Sequence, residues 1–383
     1  PIAEAAPVLS ADAEGREALA YSYALQAYLY TFPLTITERE RKQRENMKKA
    51  PAYVPFAPVN RLGHMTALAT ADSMMPYSPN NDTVYTGIGL DLTQEPIILD
   101  MPAIHDRYAG IQIVNAYLEN QPYVYSPRAN GSNAIRIAFV GPDWEGELPD
   151  GLTRVQLDTN TASAAVRIAL QNDDELDIVL GYQKQMTLTP LSAWLDGTRT
   201  PPPIPAAPAR QAFEGPFAYF QSVAELIAEN PPPAQHRAIN ASLWRVGLVP
   251  GQPFDPDALD PETRKGVERA LADGPKVIEY IRKNRGKKFP SGWDAGRYAP
   301  DTVFDYAARA AMALVGLMGN DPEEAIYMYT YFDAGGAPLD GSKSYRMHFA
   351  PEDLPKVGEL GFWSITMYDG ETYRFVPNAI NRY

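Results

Sequence analysis

Apolar positions recur every three to four residues between about Ala13 and Phe32, with Leu19, Tyr23 and Tyr30 on one face, which predicts an amphipathic helix. Pro33 is expected to interrupt it, because proline donates no amide hydrogen and its ring crowds the preceding turn. The charged stretch 37–49 then predicts an exposed helix. From about residue 58 to 158 the texture changes to short β-branched and aromatic runs divided by Pro, Gly, Asn and Asp, the pattern of a β-sandwich or barrel. Residues 108–115, 135–140 and 154–157 are predicted strands, with turns at 129–132 and 141–143. Helical character is expected again from about Ala162. A connector follows in which Pro201, Pro202, Pro203, Pro205 and Pro208 forbid regular helix and favour a stiff extended chain. Phe217, Phe220, Ala224 and Ile227 form a further helical stripe, and Val303, Ala307, Leu314 and Leu317 another. Asp260 before Pro261 and Glu262 has the order of an N-cap, a first-turn proline and a dipole-compatible acid. Near the end, 325–332 alternates Tyr327, Tyr329 and Tyr331 against Ile326, Met328 and Phe332, and 362–368 reads as a second strand.

Composition narrows the function classes. Over 383 residues, 45% hydrophobic and 21% charged describe a folded globular chain of more than one core. A formal charge of −13 makes phosphate backbones and anionic lipid unfavourable partners, so nucleic acid is not expected. The one basic run, 39–49, is broken by Glu40 and Glu45 and reads as a solvated helix face. There is no cysteine, which removes disulfides, thiolate nucleophiles and cysteine-based zinc sites. No apolar run approaches the roughly 20 residues that span a bilayer. Absence of cysteine and the start at Pro1 suit a periplasmic or secreted protein, with a cytoplasmic location as the alternative. The 23 tyrosines suit strand packing or a half-wet ligand groove, since each needs a partner for its hydroxyl.

Several segments resemble two paired bacterial families, the domain-of-unknown-function families 1254 and 1214. Pro79-Asn80-Asn81-Asp82-Thr83-Val84-Tyr85, Asp106-Arg107-Tyr108 with Gln112 and Tyr117, and Gly141 to Gly146 are similar to blocks of the first. Leu339 to Ser342, Phe362 to Tyr368, and Asn378 with Asn381-Arg382-Tyr383 are similar to blocks of the second. The resemblance runs from about residue 58 to the end and implies an α+β architecture. It comprises an immunoglobulin-like β-sandwich, a helical domain and a jelly-roll-like sandwich, divided as 1–57, 58–160, 161–318 (with connector 198–208) and 319–383. It transfers no chemistry, because fold alone does not specify function. Asn115 stands where the first family usually has Asp, which weakens an acid or metal role there. The second family continues past its Asn-Arg-Tyr motif, so the expectation is an incomplete jelly roll with an open sheet edge, a different closure in this subfamily, or a shortened chain.

Familiar catalytic motifs are absent: no G-x-S-x-G, no Walker A loop, no H-E-x-x-H. His64, His105, His236 and His348 are widely separated and read as structural. Asn80, Asn81, Asp82 and Thr83 can cap a turn, grip a hydroxylated ligand or coordinate Ca²⁺. Arg107 offers a planar fork for an internal Asp82 or Asp100, or for a ligand carboxylate. Trp363 alternates with Thr366 and Tyr368, so one of these sets lines any cavity on that strand. Asn378 and Arg382 are expected to fix an inter-domain seam. Asp82, Tyr85 and Arg107 are thus the candidate catalytic residues. Asn80, Asn81, Tyr108, Gln112, Trp363, Thr366, Tyr368, Asn378 and Arg382 are the candidate ligand contacts. No residue is assigned to a metal and no cofactor is expected. The expected partner is a small organic or saccharide ligand, bound where a sandwich meets the helical domain, with or without hydrolase or lyase chemistry. The alternative is a non-enzymatic interaction or homo-oligomerisation module using the C-terminal sheet edge.

Overall fold

The computed structural model describes residues 5–47, 49–74, 78–170, 172–284, 286–295, 305–316, 318–380 and 382–383. Eight strands build two facing four-stranded sheets: β1 (Leu62–His64), β2 (Thr83–Asp91), β3 (Ile97–Met101), β4 (Ala109–Asn115), β5 (Ile135–Val140), β6 (Thr153–Gln156), β7 (Thr161–Ala169) and β8 (Thr187–Pro190). The first sheet has the order β1-β2-β7-β4 and the second β6-β5-β3-β8. All pairs are antiparallel except β5 with β6. One apolar core draws Val84, Ile88, Ile111, Val166 and Ile168 from the first sheet and Ile97, Leu99, Ile137 and Phe139 from the second. Alternation does this: on β7, Ala164, Val166 and Ile168 enter the core while Ser163, Ala165 and Arg167 face the other way.

The helices are α1 (Ala5–Asn46), α2 (Pro127–Asn130), α3 (Leu176–Gln183), α4 (Leu191–Leu195), α5 (Ala218–Glu229), α6 (Arg237–Arg245), α7 (Pro261–Asn284) and α8 (Tyr306–Gly316). α4 packs on the second sheet, and α1, α5, α6, α7 and α8 gather beside the first. Their core joins Ala27, Tyr30 and Leu34 of α1 to Phe220 and Val223 of α5, Leu243 of α6, Val267 and Ala270 of α7, and Ala311 of α8. Gly266 lets α7 lie directly on α1, since a Cβ there would sit 2.4 Å from the Glu17 carbonyl oxygen. Tyr117, from the loop after β4, enters this helical core, and its hydroxyl donates to the Asn230 carbonyl at 2.8 Å.

Several expectations hold in detail. β5 spans 135–140, β4 and β6 fall within a residue of their predicted bounds, and Asp260 caps α7 by accepting the Thr263 amide at 3.1 Å. Others need correction. The stretch from Ala162 is strand β7, not helix, because its small and apolar residues alternate into a core that two flanking strands complete. Pro33 does not end α1, which continues to Asn46 with Leu34 and Ile36 buried beyond it. The 39–49 run is not wholly solvated, since Glu40 and Arg44 are 6% and 7% exposed. Val303, Leu317 and Asn381 lie outside the described residues. After residue 318, strand structure is confined to β11 (Met328–Tyr329), paired with β10 (Asp294–Ala295) and through it β9 (Lys287–Lys288), plus isolated bridges. Residues 362–368 are not a strand, since among the described residues no neighbour supplies a ladder. The architecture is therefore mixed α+β, with antiparallel sheets and no closed barrel. No helix among the described residues is long and apolar enough to cross a membrane.

Candidate functional site

Register brings the centre of the site together. On the outward face of the first sheet, Arg167 of β7 stands between Tyr85 of β2 and Gly110 of β4. Arg167 is 8% exposed. Its Nη1 donates to the Tyr327 hydroxyl at 3.3 Å, and it also hydrogen bonds Tyr85. Burial works against the Arg167 charge, but the oxygens of Tyr85, Tyr327, Tyr108 and Tyr123 outweigh it and hold the guanidinium above its ordinary range. Among the described residues no carboxylate pairs with Arg167, and its Nε, shut away from solvent, has no hydrogen-bond partner. The nearby carboxylate, Glu324, is engaged elsewhere. It accepts from the Tyr108 hydroxyl at 2.6 Å and from Ser126 at 3.4 Å, and pairs with Arg128 at 3.8 Å. Gly110 makes this possible, because a Cβ there would sit 2.7 Å from the Tyr108 hydroxyl and 3.3 Å from Glu324.

The chain's last sixty-odd residues cover this face, stitched on by side chains more than by strands. Gln112 and Asn120 donate to the Gly319 carbonyl at 2.7 and 2.8 Å. Tyr123 donates to Asn320 at 3.2 Å and accepts the Asp321 amide at 3.1 Å. Ser364 donates to Asp82 at 2.6 Å, and the Tyr368 hydroxyl donates to the Pro79 carbonyl at 2.6 Å. Burial pushes Tyr368 up to about 12, and Tyr85 and Tyr108 also rise by burial.

Of the residues singled out from sequence, Asp82, Tyr85, Tyr108, Gln112 and Tyr368 meet around this face, with Thr366 hydrogen bonded to Tyr368. Asn80 caps the turn, its Oδ1 accepting the Asp82 and Thr83 amides at 2.8 and 2.9 Å, while the buried Asn81 Oδ1 has no partner. Arg107 does not reach Asp82 or Asp100. It bonds Asp106 and Glu175, at 3.0 and 2.8 Å, and Asp100 is taken by Arg136 and Arg199. Trp363 is 45% exposed beside Phe349, and Asn378 bonds the Arg382 backbone in a local turn. Arg167, Tyr123, Tyr327 and Glu324 were not picked out from sequence. The alternation of Ala164, Val166 and Ile168 was the signal that could have turned Arg167 outward.

A second buried polar cluster lies where the sandwich meets the helices. Glu119, from the loop after β4, contacts His236 Nε2 at 3.2 Å and Arg309 of α8 at 3.9 Å, and accepts from Asn115 at 3.0 Å. Tyr30 of α1 bonds His236 Nδ1 at 3.0 Å. Burial pushes Glu119 up, but His236, Arg309 and Asn115 outweigh it and hold the carboxyl below its ordinary range. Arg309 is 2% exposed, its charge disfavoured by burial, and it faces the rings of Tyr30 and Tyr306 at 5.7 and 5.4 Å. No group of three or more His, Asp or Glu among the described residues is arranged to hold a metal ion.

At the other end of the first sheet is a cavity of about 320 Å³ between α1, the sheet, α5 and the Pro-rich connector. Leu34, Leu90, Ala162 and Leu226 contribute apolar wall, and Pro205 and Pro208 close one side. The connector is clasped by Arg210, which bonds Glu229 twice at 2.6 Å and Glu38 at 3.0 and 3.3 Å.

Residues 59–190 match the family described as protein of unknown function (DUF1254), and residues 324–383 match protein of unknown function (DUF1214). These are the two families the sequence motifs resemble. Among solved structures, the chain is similar to the VPA0106 protein from Vibrio parahaemolyticus, at 22% identity and a TM-score of 0.69, over 95% of this chain and 83% of that one. That likeness supports the fold. An uncharacterized protein from Burkholderia cenocepacia aligns at 10% identity over 82% of this chain and 66% of that one, but its TM-score of 0.27 bears no weight. No curated protein matches.

Proposed function

We propose that the protein binds a small hydroxylated organic oxyanion, such as a sugar acid, against Arg167. One observation carries this reading: a buried guanidinium with no carboxylate in contact and an unpartnered Nε, ringed by phenol hydroxyls. A buried charge without a counter-charge is costly, and a bound oxyanion would supply both the charge and the missing acceptor. Tyr85, Tyr108 and Tyr327 would add hydrogen bonds to the anion or its hydroxyls. Asp82 and Tyr85 are the pair proposed for proton transfer if the ligand is turned over, in a hydrolytic or lyase-like step. Arg107, ion-paired to Asp106 and Glu175, would hold the edge of the site in place of acting on the ligand.

Calorimetric titration of the full chain with glucuronate, gluconate, benzoate and neutral glucose tests this. The carboxylates are expected to bind, with Arg167→Met losing them and Tyr85→Phe weakening them, while near-UV dichroism stays unchanged. Carboxylate affinity that survives Arg167→Met in a folded variant removes the reading. Turnover, once a substrate is found, should fall in Asp82→Asn with binding retained.

A second reading rests on a different observation. Ile326, Phe332, Met347, Ile365, Met367 and Ile380 are all 46–76% exposed, within the segment expected as a jelly-roll-like unit. Exposed apolar side chains in this number suit a partner strand or a second copy. Sedimentation as a strict monomer at high concentration counts against it.

A further inference from the structure

The cavity behind the Pro-rich connector is separate from the Arg167 site and shares none of the residues named for it. Its 320 Å³ falls at the small end of the range of ligand pockets, about 300–1,000 Å³, and its wall is largely apolar. Its lining is rich in charge. Glu38, Glu40, Glu45, Asp91 and Glu229 all line it. Near these carboxylates stand Arg41 and Arg44 in the lining, Arg210 beside the connector, Lys42 on Glu38 at 3.5 Å, and Arg39 acting on Glu40. Arg41 and Arg210 are committed to Glu38, Glu45 and Glu229. Arg44 lies over the Phe56 ring at 4.6 Å and donates to the Ala57 carbonyl at 3.4 Å. Glu40 is left without a matched donor: it is 6% exposed and its Oε2 has no hydrogen-bond partner. Burial pushes the Glu40 carboxyl up, and the charges of Arg44 and Arg39 offset this only in part.

We propose that this cavity is a second binding site, for a small molecule with an apolar body and a primary ammonium head that pairs with Glu40. The apolar body packs on Leu34, Leu90 and Leu226. The unfilled, buried oxygen of Glu40 selects a cationic donor over an anion, the reverse of the preference proposed for Arg167. Arg210 has a positioning role, holding the Pro205–Pro208 wall in place through Glu38 and Glu229.

The test uses three probes of one shape, phenylpropylamine, phenylpropanol and phenylpropanoate, titrated calorimetrically into the full chain at neutral pH. The amine is expected to bind about tenfold more tightly than the alcohol, with the carboxylate weakest. Glu40→Gln, nearly isosteric, brings the amine down to the alcohol's affinity. Ser163→Leu, which fills the cavity from the sheet side, weakens amine and alcohol together by about tenfold. Arg167→Met leaves amine binding unchanged, so failure here is distinct from failure of the oxyanion site. The proposal is overturned if no probe binds, if the carboxylate equals the amine, or if amine affinity survives both Glu40→Gln and Ser163→Leu in variants whose near-UV dichroism matches the parent.

Discussion

Arg210 lies between Glu38 and Glu229 and makes four short bonds to their carboxylates, whereas Arg167 lies on the outward face of β7 with tyrosines around it and no carboxylate in contact. Both guanidiniums are largely withdrawn from water. The first is neutralised and fully engaged, as a structural clasp should be. The second has no carboxylate in contact, as the proposed binding site requires. Arg309 has one carboxylate, Glu119, at 3.9 Å, and none of its guanidinium nitrogens has a hydrogen-bond partner. The three form a series in the number of acidic neighbours, from the clasp to the guanidinium proposed to receive a ligand.

The largest expected effect lies at the middle member. Glu119→Ala strips Arg309 of its counter-charge and removes the carboxylate beside His236, and should cost about 3–5 kcal/mol in denaturant unfolding. A cost below about 1 kcal/mol would show that Arg309 is neutralised by other means, and would break the series. Arg210→Met should cost less, about 1–3 kcal/mol, because its carboxylates can recover water. Arg167→Met should cost less again, within about 1 kcal/mol of the parent in ligand-free protein, because no carboxylate is in contact with it and it loses hydrogen bonds to phenol oxygens only. A melting temperature that falls as far as for Arg210→Met would make Arg167 a brace after all.

The smallest effect is one of pH. Burial raises the Glu38 carboxyl, but Arg41 and Arg210 outweigh it and lower the group from 4.5 to about 2. A depressed acid contributes stability above its unfolded pKa and loses it as pH falls through the folded value, so the window runs from about 4.5 down to about 2. Melting curves across that window should be less acid-sensitive in Glu38→Gln than in the parent, with little difference between the two slopes above pH 5.

Local pattern made part of this legible. The 135–140 and 108–115 runs declared their strands through β-branched residues, and Asp260-Pro261-Glu262 declared the start of α7, because each depends on neighbours in the chain. β7 was hidden because Ala162, Ala164, Ala165 and Ala169 carry no strand preference of their own. Two flanking strands impose the extended form. α1 runs through Pro33 for a similar reason, since packing against α7 and α8 outweighs one lost hydrogen bond. The expected 362–368 strand fails in the opposite sense, with a strong local pattern and no partner to pair with. Asp82, Tyr85, Tyr108 and Tyr368 were visible as motif residues. Arg167, Tyr327 and Glu324 were not, because their meeting depends on a register and on contacts across 160 and 216 residues that no spacing encodes.

β7 is an interior strand, bonded along both edges and fixed from behind by Val166 and Ile168 in the core. Arg167 is therefore mounted on one of the least movable parts of the molecule, while the tyrosine above it, Tyr327, comes just before the two-residue strand β11, in a segment with little regular structure. If the proposed oxyanion site is borne out, such a division lets its selectivity drift without loss of the anchor. Exchanging residues in the covering stretch can reshape what the guanidinium meets, while the sheet beneath keeps its register, so related chains could accept different acids on one unchanged floor.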